Sequence, residues 1–174
     1  MGLGSNQQSV VKGRIVILNG ANLNCLGRRE PAIYGHQSME QVMVELQRSY
    51  PDVCFTYYQS NHEGDLIDRL QEPLFSQELI ANGQEPRAIS GIVLNAGGYT
   101  HTSVALRDAV ALCPVPVVEV HITDITQRES FRRVSLLTDV CAYSIIGHGT
   151  DGYREAVQWL IDNQSYRPES LSEN

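Results

Sequence analysis

Residues 14–35 read RIVILNGANLNCLGRREPAIYG, an apolar run that gives way at Asn19 to a polar loop containing three glycines. The loop is too polar and too rich in glycine to be core, and it follows directly on a strand-like segment. In open α/β sheets ligands bind beyond the carboxyl ends of the strands, so a loop of this composition in this place reads as part of a site. It carries Asn19, Asn22 and Asn24, then the adjacent guanidinium groups of Arg28 and Arg29, then the phenol of Tyr34. Residues 19–35 are expected to hold a catalytic base, and its partners must come from elsewhere in the chain.

Similar β-rich runs recur at 53–58, 91–94, 115–120 and 141–146, with helical patterns between them. Ser38 stands three residues before Gln41 in a capping-box arrangement, and Met39, Val42, Met43 and Leu46 follow at one-face helical spacing until Pro51. Leu66, Ile67, Leu70 and Leu74 form a second stripe, followed by a turn at 82–87. Residues 102–112 and, briefly, 129–134 predict further helices, and Tyr153, Ala156, Val157, Leu160 and Ile161 mark the last. Five strands alternating with five helices predict an α/β, doubly wound, flavodoxin-like parallel sheet, whose expected strand order is 2-1-3-4-5. One catalytic domain is expected over residues 14–163, after a flexible segment 1–13 and before a polar tail 164–174.

Composition narrows the function. The 174 residues carry 13 basic against 20 acidic side chains, a net charge of −7, which argues against nucleic acid as a partner because that affinity rests on clustered cations. The only lysine is Lys12, ahead of the first strand, a poor place for an imine-forming nucleophile. Arginine suits bidentate recognition of a carboxylate. Cys25, Cys54, Cys113 and Cys141 form no CxxC pair and have no histidine at ligand spacing, so no metal and no disulfide framework is expected, and the last three read as buried free thiols. No apolar stretch reaches the roughly 18 residues of a membrane span and no signal peptide opens the chain, so no membrane partner and a cytoplasmic location are expected.

GHGTDG at residues 147–152 matches the dinucleotide pattern G-x-G-x-x-G between a strand and a helix. The second strand and the acidic residue about 20 positions on, which that βαβ unit requires, are missing. It is read as a tight strand-to-helix turn; the alternative is a flavodoxin-like nucleotide-binding module without catalysis.

Four more segments fall at predicted strand ends: QSNHEGD (59–65), LNAGGYTHTSVALRDA (94–109), EVHITDI (119–125) and RESFRR (128–133). Parallel strands place their carboxyl ends on one edge, so these should converge with the first loop. In EVHI the strand period of two puts Glu119 and His121 on one face, where the carboxylate can orient the imidazole.

Together with the first loop, these motifs resemble, in the same order and across residues 15–160, the type II 3-dehydroquinate dehydratases. The resemblance implies a flavodoxin-like subunit in a dodecamer built from trimers, with no cofactor and no metal. It implies dehydration of 3-dehydroquinate to 3-dehydroshikimate and water by anti elimination, serving the shikimate pathway or quinate breakdown. Tyr34 would then be the base, Arg29 the cation favouring its tyrosinate, Asn22 the holder of a water or enolate oxygen, and His121 the acid, with Glu119 behind it. Asn95, His101, Arg132 and the backbone around Ile122 and Thr123 would bind substrate, Arg128 would cover it, and Asp108 would reach a neighbouring subunit's site. Taken singly, Asp108 and Arg133 read as solvated residues. Ala21 replaces the family's usual Pro, Thr123-Asp124 its usual Ser-Asn and His148 a commonly apolar residue; because Thr keeps a hydroxyl, little loss is expected at 123.

Overall fold

The opening apolar run forms β1, Arg14–Asn19, and every residue of it after Arg14 is buried. A computed structural model describes residues 13–28, 36–75 and 88–166 of the chain. Four more strands, β2 (Cys54–Gln59), β3 (Ile89–Asn95), β4 (Val117–His121) and β5 (Tyr143–Ile146), complete one sheet in the order β2-β1-β3-β4-β5. All neighbours run parallel. The helices are α1 (Met39–Ser49), α2 (Glu63–Phe75), α3 (Val104–Leu112) and α4 (Asp151–Asp162). This is the flavodoxin-like arrangement expected from the alternation of elements.

The sheet divides two cores. On one face Ile15, Ile17, Val93, Val118 and Val120 pack with Met39, Val42 and Leu46 of α1 and Tyr153, Ala156, Val157 and Leu160 of α4. On the other, Val16, Leu18, Ile92 and Leu94 meet Leu66 and Leu70 of α2 and Leu106, Ala109 and Val110 of α3. With both faces covered, β1 and β3 must be apolar continuously rather than alternately, hence IVIL and GIVL. The expected capping box opens α1: Ser38 Oγ accepts from the Gln41 amide at 3.4 Å and Gln41 Oε1 accepts from the Ser38 amide at 2.9 Å.

Two helical expectations are corrected. The helix read over 102–112 begins at Val104, because Gly97–His101 forms a 3-10 turn and Ser103 Oγ caps α3 by accepting from Leu106 N at 2.8 Å. The helix read over 129–134 is a single 3-10 turn, Ser130–Arg132, leaving four α-helices among the described residues instead of five. Phe131 and Val134 are 69% and 66% exposed, so the segment buries no apolar face that could carry the cost of helix nucleation. Of the cysteines expected to be buried, Cys113 is, while Cys54 and Cys141 are partly exposed. The turn read at 82–87 lies outside the described residues. Among those described, no helix is long and apolar enough to cross a membrane.

The connections leave β1 in one direction toward β2 and return on its other side to β3, so the switch point of the sheet lies between β1 and β3. The strand ends there form a polar row, Asn19 being in register with Gln59 on one side and Asn95 on the other. The two loops leaving that point touch backbone to backbone. A Cβ on Gly20 would stand 2.2 Å from the Ala96 carbonyl oxygen, and one on Gly97, whose φ is +62°, would stand 2.7 Å from that of Ala21.

Candidate active site

A cavity of about 170 Å³ opens at this switch point, and eight of the twelve predicted site residues line it. Asn22 enters from the loop after β1, Asn95 and His101 from the end of β3 and the turn beyond it, His121, Ile122 and Thr123 from the end of β4, and Arg128 and Arg132 from the segment that follows. Glu119 is fully buried behind His121. Asp108 is exposed on α3 and does not line the cavity. Arg29 and Tyr34 lie outside the described residues.

The first loop is held by the second. Asn22 adopts a left-handed conformation, φ 69°, which asparagine tolerates better than most side chains. Its amide donates to Asn61 Oδ1 at 2.9 Å, and Gln59 Nε2 reaches the same oxygen at 3.1 Å and the Gly20 carbonyl at 3.2 Å. Tyr99 in turn donates to the Asn61 carbonyl at 2.6 Å. Asn61 thus braces the cavity wall, a role that QSNHEGD showed only as convergence.

The amide of Asn95 is held on both sides. Its Nδ2 donates to the Tyr153 hydroxyl at 3.0 Å, that hydroxyl donates to Asn19 Oδ1 at 2.9 Å, and Asn95 Oδ1 accepts from Gly97 N at 3.2 Å. Burial pushes the Tyr153 phenol well above its usual range, so it remains a neutral donor. His101 Nδ1 lies 2.7 Å from the Val134 carbonyl. Since a carbonyl only accepts, Nδ1 carries a proton and the tautomer is fixed.

His121 and Glu119 meet as the strand period requires, Nε2 lying 2.7 Å from Oε1. Four hydroxyls also surround that carboxylate: Thr100 at 2.8 Å and Ser135 at 2.6 Å lie against Oε1 and 2.7 Å from each other, and Thr138 at 2.7 Å and Ser144 at 3.0 Å donate to Oε2. Burial alone would raise the carboxyl pKa and is the largest single influence. The close approach and charge of His121 and the Ser135 and Thr138 hydroxyls together outweigh it and hold the group down at about 2. Glu119 is therefore a carboxylate in a buried place. The four hydroxyls come from three separate stretches, and nothing in their spacing marked them.

At the cavity's outer edge Glu129 lies between two guanidinium groups, 3.4 Å from Arg128 Nε and 3.5 Å from Arg132 Nε. Arg128 also donates to Thr123 Oγ1 at 3.3 Å, so threonine keeps a working hydroxyl here. Asp124 is used locally, Oδ1 accepting from Thr126 N at 2.9 Å and Thr126 Oγ1 at 2.7 Å. His148 is exposed and pairs through Nδ1 with Glu155 at 2.8 Å.

The GHGTDG turn does not offer a phosphate cradle. It follows the edge strand β5, and the amides of Gly147 and Gly149 donate to the carbonyls of His121 and Ile122, both at 3.0 Å. The two glycine N–H groups are thus spent bracing the end of β4. Among the described residues no three His, Cys, Asp or Glu side chains gather as a metal site would need.

A histidine backed by a carboxylate, two amides and two arginines around a small cavity at the switch point of an α/β sheet define an enzyme for proton transfer on a small anion. More narrowly, the chain belongs to the class II dehydroquinase family, whose sequence model matches residues 13–161. It is 48% identical over 151 residues to a 3-dehydroquinate dehydratase of Exiguobacterium sp., covering 86% of this chain and 95% of that one. It is 41% identical over 155 residues to a 3-dehydroquinate dehydratase of Pelodictyon phaeoclathratiforme, covering 89% and 96%. A crystal structure of type II dehydroquinase from Butyrivibrio crossotus superposes with a TM-score of 0.74 at 40% identity, over 85% of this chain and 97% of that one.

Proposed function

We propose that this chain dehydrates 3-dehydroquinate to 3-dehydroshikimate and water, in the shikimate pathway or in quinate breakdown. The observation that carries the reading is the Glu119-backed His121 lining one cavity with Asn22, Asn95, His101, Arg128 and Arg132. Tyr34 takes the proton alpha to the ketone. An ordinary phenol, with a pKa near 10, is a poor base at neutral pH, and Arg29 favours its anion. Asn22 steadies the oxygen on which enolate charge develops. The C–O bond on the opposite face then breaks, and His121 gives the departing hydroxyl its proton, completing an anti elimination. The assignments to Tyr34 and Arg29 rest on the match of their loop to the family motif.

His101, Arg132 and the backbone at Ile122 and Thr123 bind the substrate's carboxylate and hydroxyls, with Asn95, and Arg128 covers them. The exposed apolar side chains Val104, Phe131 and Val134 support a subunit contact beside this cavity, in which Asp108 reaches a neighbour's site within a cytoplasmic dodecamer of trimers. The test is direct: purified protein given 3-dehydroquinate develops the ultraviolet absorbance of a conjugated enone carboxylate, and Tyr34→Phe does not. An assembled wild-type sample that gives no such absorbance overturns the reading.

A further inference from the structure

Glu119 carries more hydrogen bonds than orienting one imidazole requires. The Thr138 and Ser144 hydroxyls meet Oε2, the oxygen away from His121, while Thr100 and Ser135 meet Oε1, the oxygen His121 approaches. The Ser135 hydroxyl is itself fixed, accepting from Leu137 N at 3.0 Å and lying 2.7 Å from Thr100 Oγ1. The hydroxyls arrive from the turn after β3, from the stretch after the arginines and from β5.

A fully buried carboxylate with a histidine as its only partner would concentrate its charge on that ring and hold the imidazolium proton tightly. That suits an ion pair and ill suits an acid that must release its proton in every cycle. We propose that Thr100, Ser135, Thr138 and Ser144 are positioning residues for the general acid, sharing the charge of Glu119 so that it orients His121 without trapping the proton. This rests on the dehydratase reading for its catalytic meaning, though not for its electrostatics. Among the described residues, the other ionisable groups around the pair are His101, Arg128 and Arg132 across the cavity and, behind Glu119, Cys141, whose thiol burial and the Glu119 charge keep protonated.

Thr138→Val removes one donor from Oε2 and preserves shape; Ser144→Ala does the same from β5 and serves should the first variant fold poorly. The His121 ring is titrated by NMR in the full-length protein without substrate, alongside the pH profile of kcat on 3-dehydroquinate. The expected result is a His121 titration raised by about half a pH unit or more, a lower maximal kcat, an alkaline limb moved the same way and an unchanged KM, with Thr138→Ser restoring wild-type behaviour. Unmoved His121 titrations in both folded variants overturn the inference, even where kcat falls. If wild-type protein fails to turn over 3-dehydroquinate, the dehydratase reading falls and the ring titration still decides the electrostatic claim.

Discussion

Nε2 of His121 lies 2.7 Å from Oε1 of Glu119, two residues back on a strand whose five residues are all buried. Only the alternation of side chains along β4 is needed to bring them together, with no loop rearrangement. The imidazole is 6% exposed and lines the cavity, whereas the carboxylate does not. Glu119→Gln keeps the shape and removes the charge. The fold should survive, with unchanged circular dichroism, while kcat drops about a hundredfold, the usual scale for disabling a general acid. A kcat within twofold of wild type would show that the charge plays no part.

The same carboxylate makes stability depend on acid. Its folded-state pKa is depressed from 4.5 to about 2, so its contribution is fully present above pH 4.5 and is lost as pH falls toward 2. Linkage puts that loss on the order of 3 kcal/mol. Urea unfolding followed between pH 5 and pH 2 should show wild type losing stability more steeply than Glu119→Gln. Parallel curves would mean that Glu119 titrates alike in the folded and unfolded chains.

What could be read without coordinates was whatever depends on local periodicity. Strand alternation paired Glu119 with His121, the capping residues placed α1, and the rule that parallel strands end on one edge gathered Asn22, Asn95 and Arg132. Contacts made by ordinary residues far apart in sequence were illegible. A serine at 135 or a threonine at 138 resembles any surface hydroxyl until β4 brings a carboxylate to it, and Asn61 looked like one polar residue among seven. The helix read at 129–134 failed because Phe131 and Val134 stand exposed, with no core to receive an apolar face.

Asn61 offers a test of loop bracing. Asn61→Ala removes the acceptor for the Asn22 amide and for Gln59 Nε2. Each lost hydrogen bond is worth about 1 kcal/mol, and Asn22 loses the anchor of its left-handed turn. The expected outcome is a drop in kcat/KM of about tenfold with the melting temperature lowered by a few degrees. Steady-state kinetics and calorimetry read both. Unchanged kcat/KM would show that Asn22 holds its place without Asn61.

Adjacent glycines provide the sharpest comparison. Gly97 has φ +62°, and an added Cβ would stand 2.7 Å from the Ala21 carbonyl oxygen, whereas a Cβ on Gly98 meets nothing within 4 Å. Gly97→Ala therefore combines backbone strain with a collision between the two loops that leave the switch point, a cost of about 1–3 kcal/mol. The collision pushes on Ala21, next to Asn22, so kcat/KM should fall beyond what reduced stability explains. Gly98→Ala, whose Cβ meets no atom but stands at the cavity wall, should leave stability near wild type. Urea denaturation and kinetics on the two variants decide the matter, and equal behaviour would mean that the β1 and β3 loops can part without harming the site.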